Sequence, residues 1–186
     1  YDVVKKQYGS SAKLLFTDTD SLCYEIKTHD VYEDMRANLD VYDTSEYSPD
    51  HFLYSSKNKK VIGKFKDEFN AQPIAEFVGL RSKMYSLRLQ GDEEKNTAKG
   101  IKLSFTKKHL RHELYRNCLN DVQRTSASFH TIRSRNHVLK TECVKKIGLS
   151  PYDDKRYLLH PKLGEEPHST LAYGHYQIFY ARILEE

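Results

Sequence analysis

The chain has 186 residues, 38% of them hydrophobic and 30% charged, which suits one domain or two subdomains around a buried core. No apolar run in these residues approaches the length of a bilayer span, so we expect neither a signal peptide nor a membrane partner. The net charge of +4 is uneven, because residues 81–156 carry 18 Lys and Arg against 8 Asp and Glu. Such a region is either a surface for phosphate backbones or an ordinary solvated surface.

Four elements are predicted before residue 40. They are the end of a helix at 3–8, stopped by Gly9, strands at 14–16 and 22–26 joined by a polar turn, and a helix at 28–36 capped by Thr28 or Asp30.

Beyond residue 40 the pattern predicts a loop, a series of strands and one longer helix. These are a loop at 40–56, a basic strand at 59–66, strands at 74–78, 82–89 and 97–103, a helix at 107–119 after Thr106, strands within 127–147 and a closing element of undefined type at 173–184. The pattern as a whole predicts an α+β fold built on an antiparallel sheet with flanking helices.

Two carboxylates, Asp18 and Asp20, lie in the turn of the first predicted hairpin. They repel each other unless a cation lies between them, and oxygen ligands of this kind suit Mg²⁺ or Mn²⁺. Thr17, Thr19 and Ser21 carry hydroxyls that can bond the backbone of the turn and orient the carboxylates. The alternative is an ordinary solvated Asp-Thr turn.

The segment Asp18-Thr19-Asp20-Ser21 between two strands resembles motif C of the family B DNA polymerases, and Lys83-Met84-Tyr85 matches the Lys-x-Tyr motif of that family. The sequence around these motifs is similar to the polymerases of Polinton or Maverick elements and related protein-primed viral enzymes. The stretches that carry this similarity are 13–21, 76–86, 98–100 and 171–176. The resemblance covers nearly the whole chain and implies a DNA-directed DNA polymerase, a nucleotidyltransferase that adds deoxynucleotides with two Mg²⁺ ions.

The resemblance also implies roles for single residues. Asp20 would be the principal metal ligand, with Asp18 beside it. Lys83 and Tyr85 would grip the primer end, and Arg81 would contribute, because alternate residues of a strand share a face. The alternative is that Lys83 and Tyr85 have no functional role and belong to an ordinary half-exposed strand.

Further basic residues are candidates for contacts with the phosphates of duplex DNA. They are Lys99, Lys102, Lys107, Lys108, Arg133 and Arg135. His109 and His112 do not predict a zinc site, because no Cys or second His pair has matching spacing.

By the same resemblance, residues 1–105 form the C-terminal part of a polymerase palm, an antiparallel sheet with flanking helices, and residues 106–186 a small mixed thumb subdomain. The catalytic Asp of motif A and the Lys of motif B have no convincing match. We therefore expect a portion of a longer polymerase that is inactive alone. Its expected partners are primer-template DNA, deoxynucleoside triphosphates and a terminal priming protein.

Two other functions stay open. One is a non-catalytic DNA-binding remnant of a transposon or viral polymerase. The other is a reverse transcriptase, which is less favoured because its turn usually carries adjacent aspartates. The three cysteines are far apart and form no Cys-x-x-Cys pair, which favours an intracellular, reducing compartment, with the nucleus or a viral replication site as candidate places.

Overall fold

The computed structural model describes residues 3–153, 156–158 and 170–172. The chain forms two compact units, Tyr1–Tyr115 and Arg116–Glu186. Short helices alternate with several small sheets, most of them antiparallel, which confirms a mixed α+β architecture. None of the helices in these described ranges is long and apolar enough to cross a bilayer. The closing element predicted at 173–184 lies outside the described residues.

The first unit contains most of the helices and strands that are described. In chain order they are α1 (Val4–Tyr8), β1 (Ala12–Asp18), β2 (Ser21–Ile26), α2 (Val31–Arg36), β3 (Tyr42–Asp43), β4 (Phe65–Lys66), β5 (Ile74–Arg81), β6 (Met84–Leu89), β7 (Glu94–Ala98), α3 (Leu103–His109) and the start of α4 (His112–Asn120). The second unit contains the end of α4, β8 (Thr125–Arg135), β9 (Val138–Leu149), β10 (Arg156–Leu158) and β11 (Thr170–Ala172).

The local predictions near the N-terminus are confirmed. Strands β1 and β2 form an antiparallel hairpin in which Asp18 pairs with Ser21. Helix α2 begins where the Asp30 carboxylate accepts the N–H groups of Tyr32 and Glu33, at 2.8 and 3.3 Å. Asp30 is therefore the cap, because it satisfies two N–H groups that the first helical turn leaves without partners.

Strand β6 is the centre of the main sheet, whose order is β5-β6-β7. Its residues Met84, Leu87 and Leu89 are buried. Helix α4 contributes Tyr115, which is fully buried and donates its hydroxyl to the Thr97 carbonyl at 3.1 Å. Every residue of β6 is buried or half-buried, including the polar residues Ser86 and Arg88, so this central strand does not alternate between a buried and an exposed face.

The strand predicted at 59–66 is wrong except at its last two residues, which form β4. Lys60 and Gly63 have φ angles of 59° and 83°, so this segment turns. The Asn58 amide fixes the turn, because it donates to the carbonyl oxygens of Leu39 and Tyr42 at 3.1 and 2.7 Å. These bonds come from residues distant in the chain, and they override the local alternation of lysines with apolar residues.

The helix predicted at 107–119 is in fact two helices, α3 and α4. Leu110 between them has φ −97° and ψ 87°, which is not helical. The Glu94 carboxylate of β7 accepts the backbone N–H of His112 at 3.0 Å and so caps α4 from outside the helix. Thr106, predicted as the cap, is a buried residue inside α3.

A buried polar network joins α4 to the main sheet. The Asn96 amide donates to Glu94 at 3.0 Å, so its oxygen faces Ser86 and accepts the Ser86 hydroxyl at 2.5 Å. The Ser86 oxygen lies 2.6 Å from Nδ1 of His112 and is therefore placed to accept the Nδ1–H. The other ring nitrogen of His112 lies 3.4 Å from the Glu76 carboxylate.

We predict that Ser86→Ala lowers the free energy of unfolding by about 1–3 kcal/mol, because it leaves buried groups of Asn96 and His112 without partners. Denaturant unfolding measures this difference. Ser104→Ala, at an exposed position of α3, is the control and should change stability by less than about 0.5 kcal/mol. Equal effects of the two variants would contradict the network.

Candidate functional site

The tip of the β1–β2 hairpin is a two-residue turn, Thr19-Asp20, between the paired residues Asp18 and Ser21. Thr19 has a φ of 60°, and Asp20 is not among the residues with positive φ. This combination matches the type II′ turn, in which the first central position is normally Gly. A β-branched residue at this φ is strained, by about 1–3 kcal/mol, and such strain clusters at functional sites.

The Lys83 ammonium forms an ion pair with the Asp18 carboxylate at 2.6 Å. This contact lowers the pKa of Asp18 below its usual range, with smaller contributions from the Thr19 hydroxyl and the charge of Lys99. The pair joins the tip of the β1–β2 hairpin to the turn between β5 and β6. The residues of the two predicted motifs therefore meet in space.

Lys83 does not lie on a strand, so the prediction that Lys83, Tyr85 and Arg81 share one strand face is wrong. Arg81 ends β5 and pairs with Met84, and Ser82 and Lys83 form the turn between them. Lys83 has a φ of 57°, which is left-handed backbone. The turn, and not strand periodicity, directs the Lys83 side chain toward Asp18.

Tyr85 on β6 stacks on Phe16 of β1, with ring centroids 4.3 Å apart. Phe77 of β5 contacts both rings, with its centroid 5.8 Å from that of Phe16 and 6.2 Å from that of Tyr85. The three rings hold the hairpin against the main sheet, and this contact places the tip beside the β5–β6 turn. Tyr85 therefore supports the site through packing.

Asp20 is the exposed carboxylate of the tip. Within the part of the chain that the structure describes, its carboxylate takes part in no hydrogen bond or ion pair. It lies at the wall of a cavity of about 580 Å³ that Ser21, Tyr85, Leu87 and Lys95 also line. Asp20 thus differs from Asp18, because its oxygens are open to a ligand.

The sequence analysis did not identify Glu68, which reaches the other side of the tip. The Ser21 hydroxyl donates to Glu68 Oε1 at 3.2 Å, and the Lys95 ammonium contacts Glu68 Oε2 at 2.6 Å. The Lys95 contact lowers the pKa of Glu68, so this carboxylate is ionised. The only signal in the sequence is an acidic pair, Asp67-Glu68, after a basic run, and such pairs are common on surfaces.

The three hydroxyl residues predicted to support the turn behave differently. Ser21 bonds Glu68, and the Thr19 hydroxyl approaches the Asp18 carboxylate at 3.4 Å. Thr17 is exposed on β1, and its hydroxyl has no hydrogen bond to any residue that the structure describes.

Two of the lysines predicted to bind phosphate, Lys99 and Lys102, make different contacts. Lys99 donates its backbone N–H to the Lys83 carbonyl at 2.9 Å, and its charge acts on Asp18. Lys102 lies just before α3 and accepts the backbone N–H of Phe105 at 2.9 Å. The geometry therefore brings Lys99 to the tip.

The donor set of the tip fits a hard cation in part. Mg²⁺ usually binds one or two carboxylates and fills its other positions with water and substrate phosphates. Asp20 offers one open carboxylate, whereas one oxygen of Asp18 is held by Lys83. Among residues 3–153, 156–158 and 170–172, no three His, Cys, Asp or Glu side chains form a group that could hold a metal ion.

Comparisons with protein-family models, with curated proteins and with solved structures found no match for this chain. The site geometry and the motifs therefore carry the functional argument by themselves.

We predict that Thr19→Gly raises the free energy of unfolding by about 0.5–1 kcal/mol. Glycine adopts positive φ without steric cost, and this gain exceeds the conformational entropy that glycine loses on folding. Thr17→Gly, on the neighbouring extended strand, is the control and should lower stability. Denaturant unfolding distinguishes the two, and a loss of stability in Thr19→Gly would show that the turn is not strained.

We also predict that Lys83→Met returns the pKa of Asp18 toward its usual range, measured by NMR titration of the side-chain carboxyl carbon. In the wild type the folded-state pKa lies below the unfolded one, so the stabilisation from this pair is present above the unfolded pKa. It is lost as pH falls through the folded pKa. Lys13→Met, at an exposed position of β1, is the control and should leave the Asp18 titration unchanged.

Proposed function

We propose that this chain carries part of the active site of a DNA-directed DNA polymerase that resembles the Polinton and protein-primed family B enzymes. The observation that carries the proposal is the open carboxylate of Asp20 at a strained hairpin tip, beside an Asp18–Lys83 ion pair. The motifs that suggested the family lie far apart in the sequence. Their contact in space is what a shared active site requires, and it is not expected of two chance matches.

Asp20 would bind the metal ion, Mg²⁺ or Mn²⁺, with Asp18 beside it. When two such ions are bound, they lower the charge on the transferring phosphate and orient the attacking and leaving oxygens. The reaction class needs a further catalytic carboxylate. The proposal assigns it to a motif A that residues 1–186 do not contain, so this chain alone should add no nucleotide.

The protein's own cations would bind and orient the nucleic acid. Lys83 and Lys99 place two ammonium groups beside the tip carboxylates, where the phosphate at a primer end would lie. Arg81 and Lys102 are proposed as additional contacts with the phosphate backbone of DNA. Such contacts position DNA without reading its sequence, which suits an enzyme that copies any template. Primer-template DNA, deoxynucleoside triphosphates and a terminal priming protein are the proposed partners.

The ion pair between Lys83 and Asp18 also favours a second candidate function, a non-catalytic DNA-binding remnant. In such a protein the pair would serve only to hold the two turns together, and the basic residues would bind duplex DNA. The two candidates differ in one property, which is whether the complete protein adds nucleotides and uses Asp20 to do so.

We predict that Asp20→Asn in the complete protein lowers the rate of primer extension by about 100-fold or more, because a charged ligand becomes a weaker, neutral one. Primer-template affinity should stay within a few-fold of wild type, since the lysines remain. Extension assays and DNA-binding titrations in Mg²⁺ measure the two quantities.

Asp92→Asn is the matched control, because Asp92 is an exposed aspartate in the turn between β6 and β7 and lies at a φ of 60° that Asn tolerates. It should extend primers at the wild-type rate. An Asp20→Asn protein that keeps more than a tenth of the rate would contradict the catalytic role. A wild-type protein that binds DNA without extending primers would favour the remnant.

A further inference from the structure

Glu68 connects the hairpin tip to two other parts of the first unit. Its Oε1 accepts the Ser21 hydroxyl at 3.2 Å, and its Oε2 forms an ion pair with Lys95 of β7 at 2.6 Å. The Lys95 ammonium also lies 5.1 Å from the centre of the Phe69 ring. Both oxygens of Glu68 are therefore engaged, one by the tip and one by the main sheet.

The backbone that carries Glu68 is held in place by its neighbour, Asp67. The Asp67 carboxylate accepts the backbone N–H groups of Phe69 and Ala71, at 2.9 and 2.8 Å. It also accepts the Tyr47 hydroxyl at 2.9 Å. Tyr47 is buried in a small core with Met35 and Leu53. These bonds close a local turn and anchor it to the core, so the backbone at Glu68 is held in one position.

The tip needs such an anchor on the Ser21 side. Lys83 holds only Asp18, which precedes the strained residue Thr19. Asp20 follows Thr19, and its carboxylate forms no hydrogen bond or ion pair with any residue that the structure describes. The direction of its carboxylate is therefore set by the backbone on either side, and the Ser21–Glu68 bond fixes the second side.

We propose that Glu68 is a positioning residue for Asp20, which acts through the Ser21 hydroxyl and is itself held by Lys95. This inference rests on the proposed function, in which Asp20 binds a divalent cation. Glu68 does not contact the reacting atoms in this account. It restricts the orientations that the Asp20 carboxylate adopts, and outer partners of this kind typically change metal affinity by about 10–100-fold.

The test uses the 186-residue chain labelled with ¹⁵N and titrated with MnCl₂, so that paramagnetic broadening reports cation binding near each backbone amide. In the wild type, the amides of Asp20 and its neighbours should broaden first. Glu68→Ala should need about 10-fold more Mn²⁺ for the same broadening. Glu68→Gln keeps an oxygen that accepts the Ser21 hydroxyl, and it should stay within a few-fold of wild type.

Ser21→Ala removes the other end of the bond and should match Glu68→Ala. The double variant should then be no worse than either single variant, because both remove one interaction. Denaturant unfolding and the unchanged amide signals of β6 show that each variant is folded. Rescue by Gln and non-additivity are results that a general loss of stability would not give.

The outcomes distinguish the positioning role of Glu68 from the metal-binding role of Asp20. Broadening at Asp20 that is equal in wild type, Glu68→Ala and Ser21→Ala would overturn the positioning role and leave the proposed metal site intact. A wild-type chain in which Mn²⁺ broadens no amide near Asp20 would overturn the metal role itself, and the positioning role with it.

Discussion

The ion pair between Lys83 and Asp18 is the contact on which the candidate site depends. It joins two hairpin turns that are distant in the sequence, and it neutralises one of two carboxylates that would otherwise repel each other. The stacked rings of Phe16 and Tyr85 bring the two hairpins together, and the ion pair then fixes their tips. Asp20 is left as the carboxylate that a ligand can reach.

The tip is held from both sides by pairs of the same kind. A lysine meets a carboxylate on the Asp18 side, and another meets Glu68 on the Ser21 side. Exposed ion pairs contribute little to stability when they occur singly. Here the Lys83 pair joins the β5–β6 turn to the hairpin directly, and the Lys95 pair does so through the bond between Glu68 and Ser21, so their main effect is on geometry. The strained φ of Thr19 is tolerated because these contacts determine the conformation around it.

The sequence predicts the elements whose signals are local. The β1–β2 hairpin and helix α2 have apolar runs, a polar turn and a capping aspartate within a few residues, and both are confirmed. The position of Lys83 could not be predicted, because its turn lacks the Gly, Asn or Pro that usually marks one. The failed strand at 59–66 has the same origin, since the bonds of Asn58 to distant carbonyls decide its conformation.

The residues that meet at the tip come from four separate segments, at Asp18, Glu68, Lys83 and Lys95, and this spacing has a kinetic consequence. A single hairpin such as β1–β2 closes within about 1–10 μs, because its contacts are local. The tip as a whole requires long loops to close first, and such closure is the slow part of folding. The candidate site therefore exists only after the first unit has folded around it, and the Asp20 carboxylate does not take its place beside the other three side chains before then.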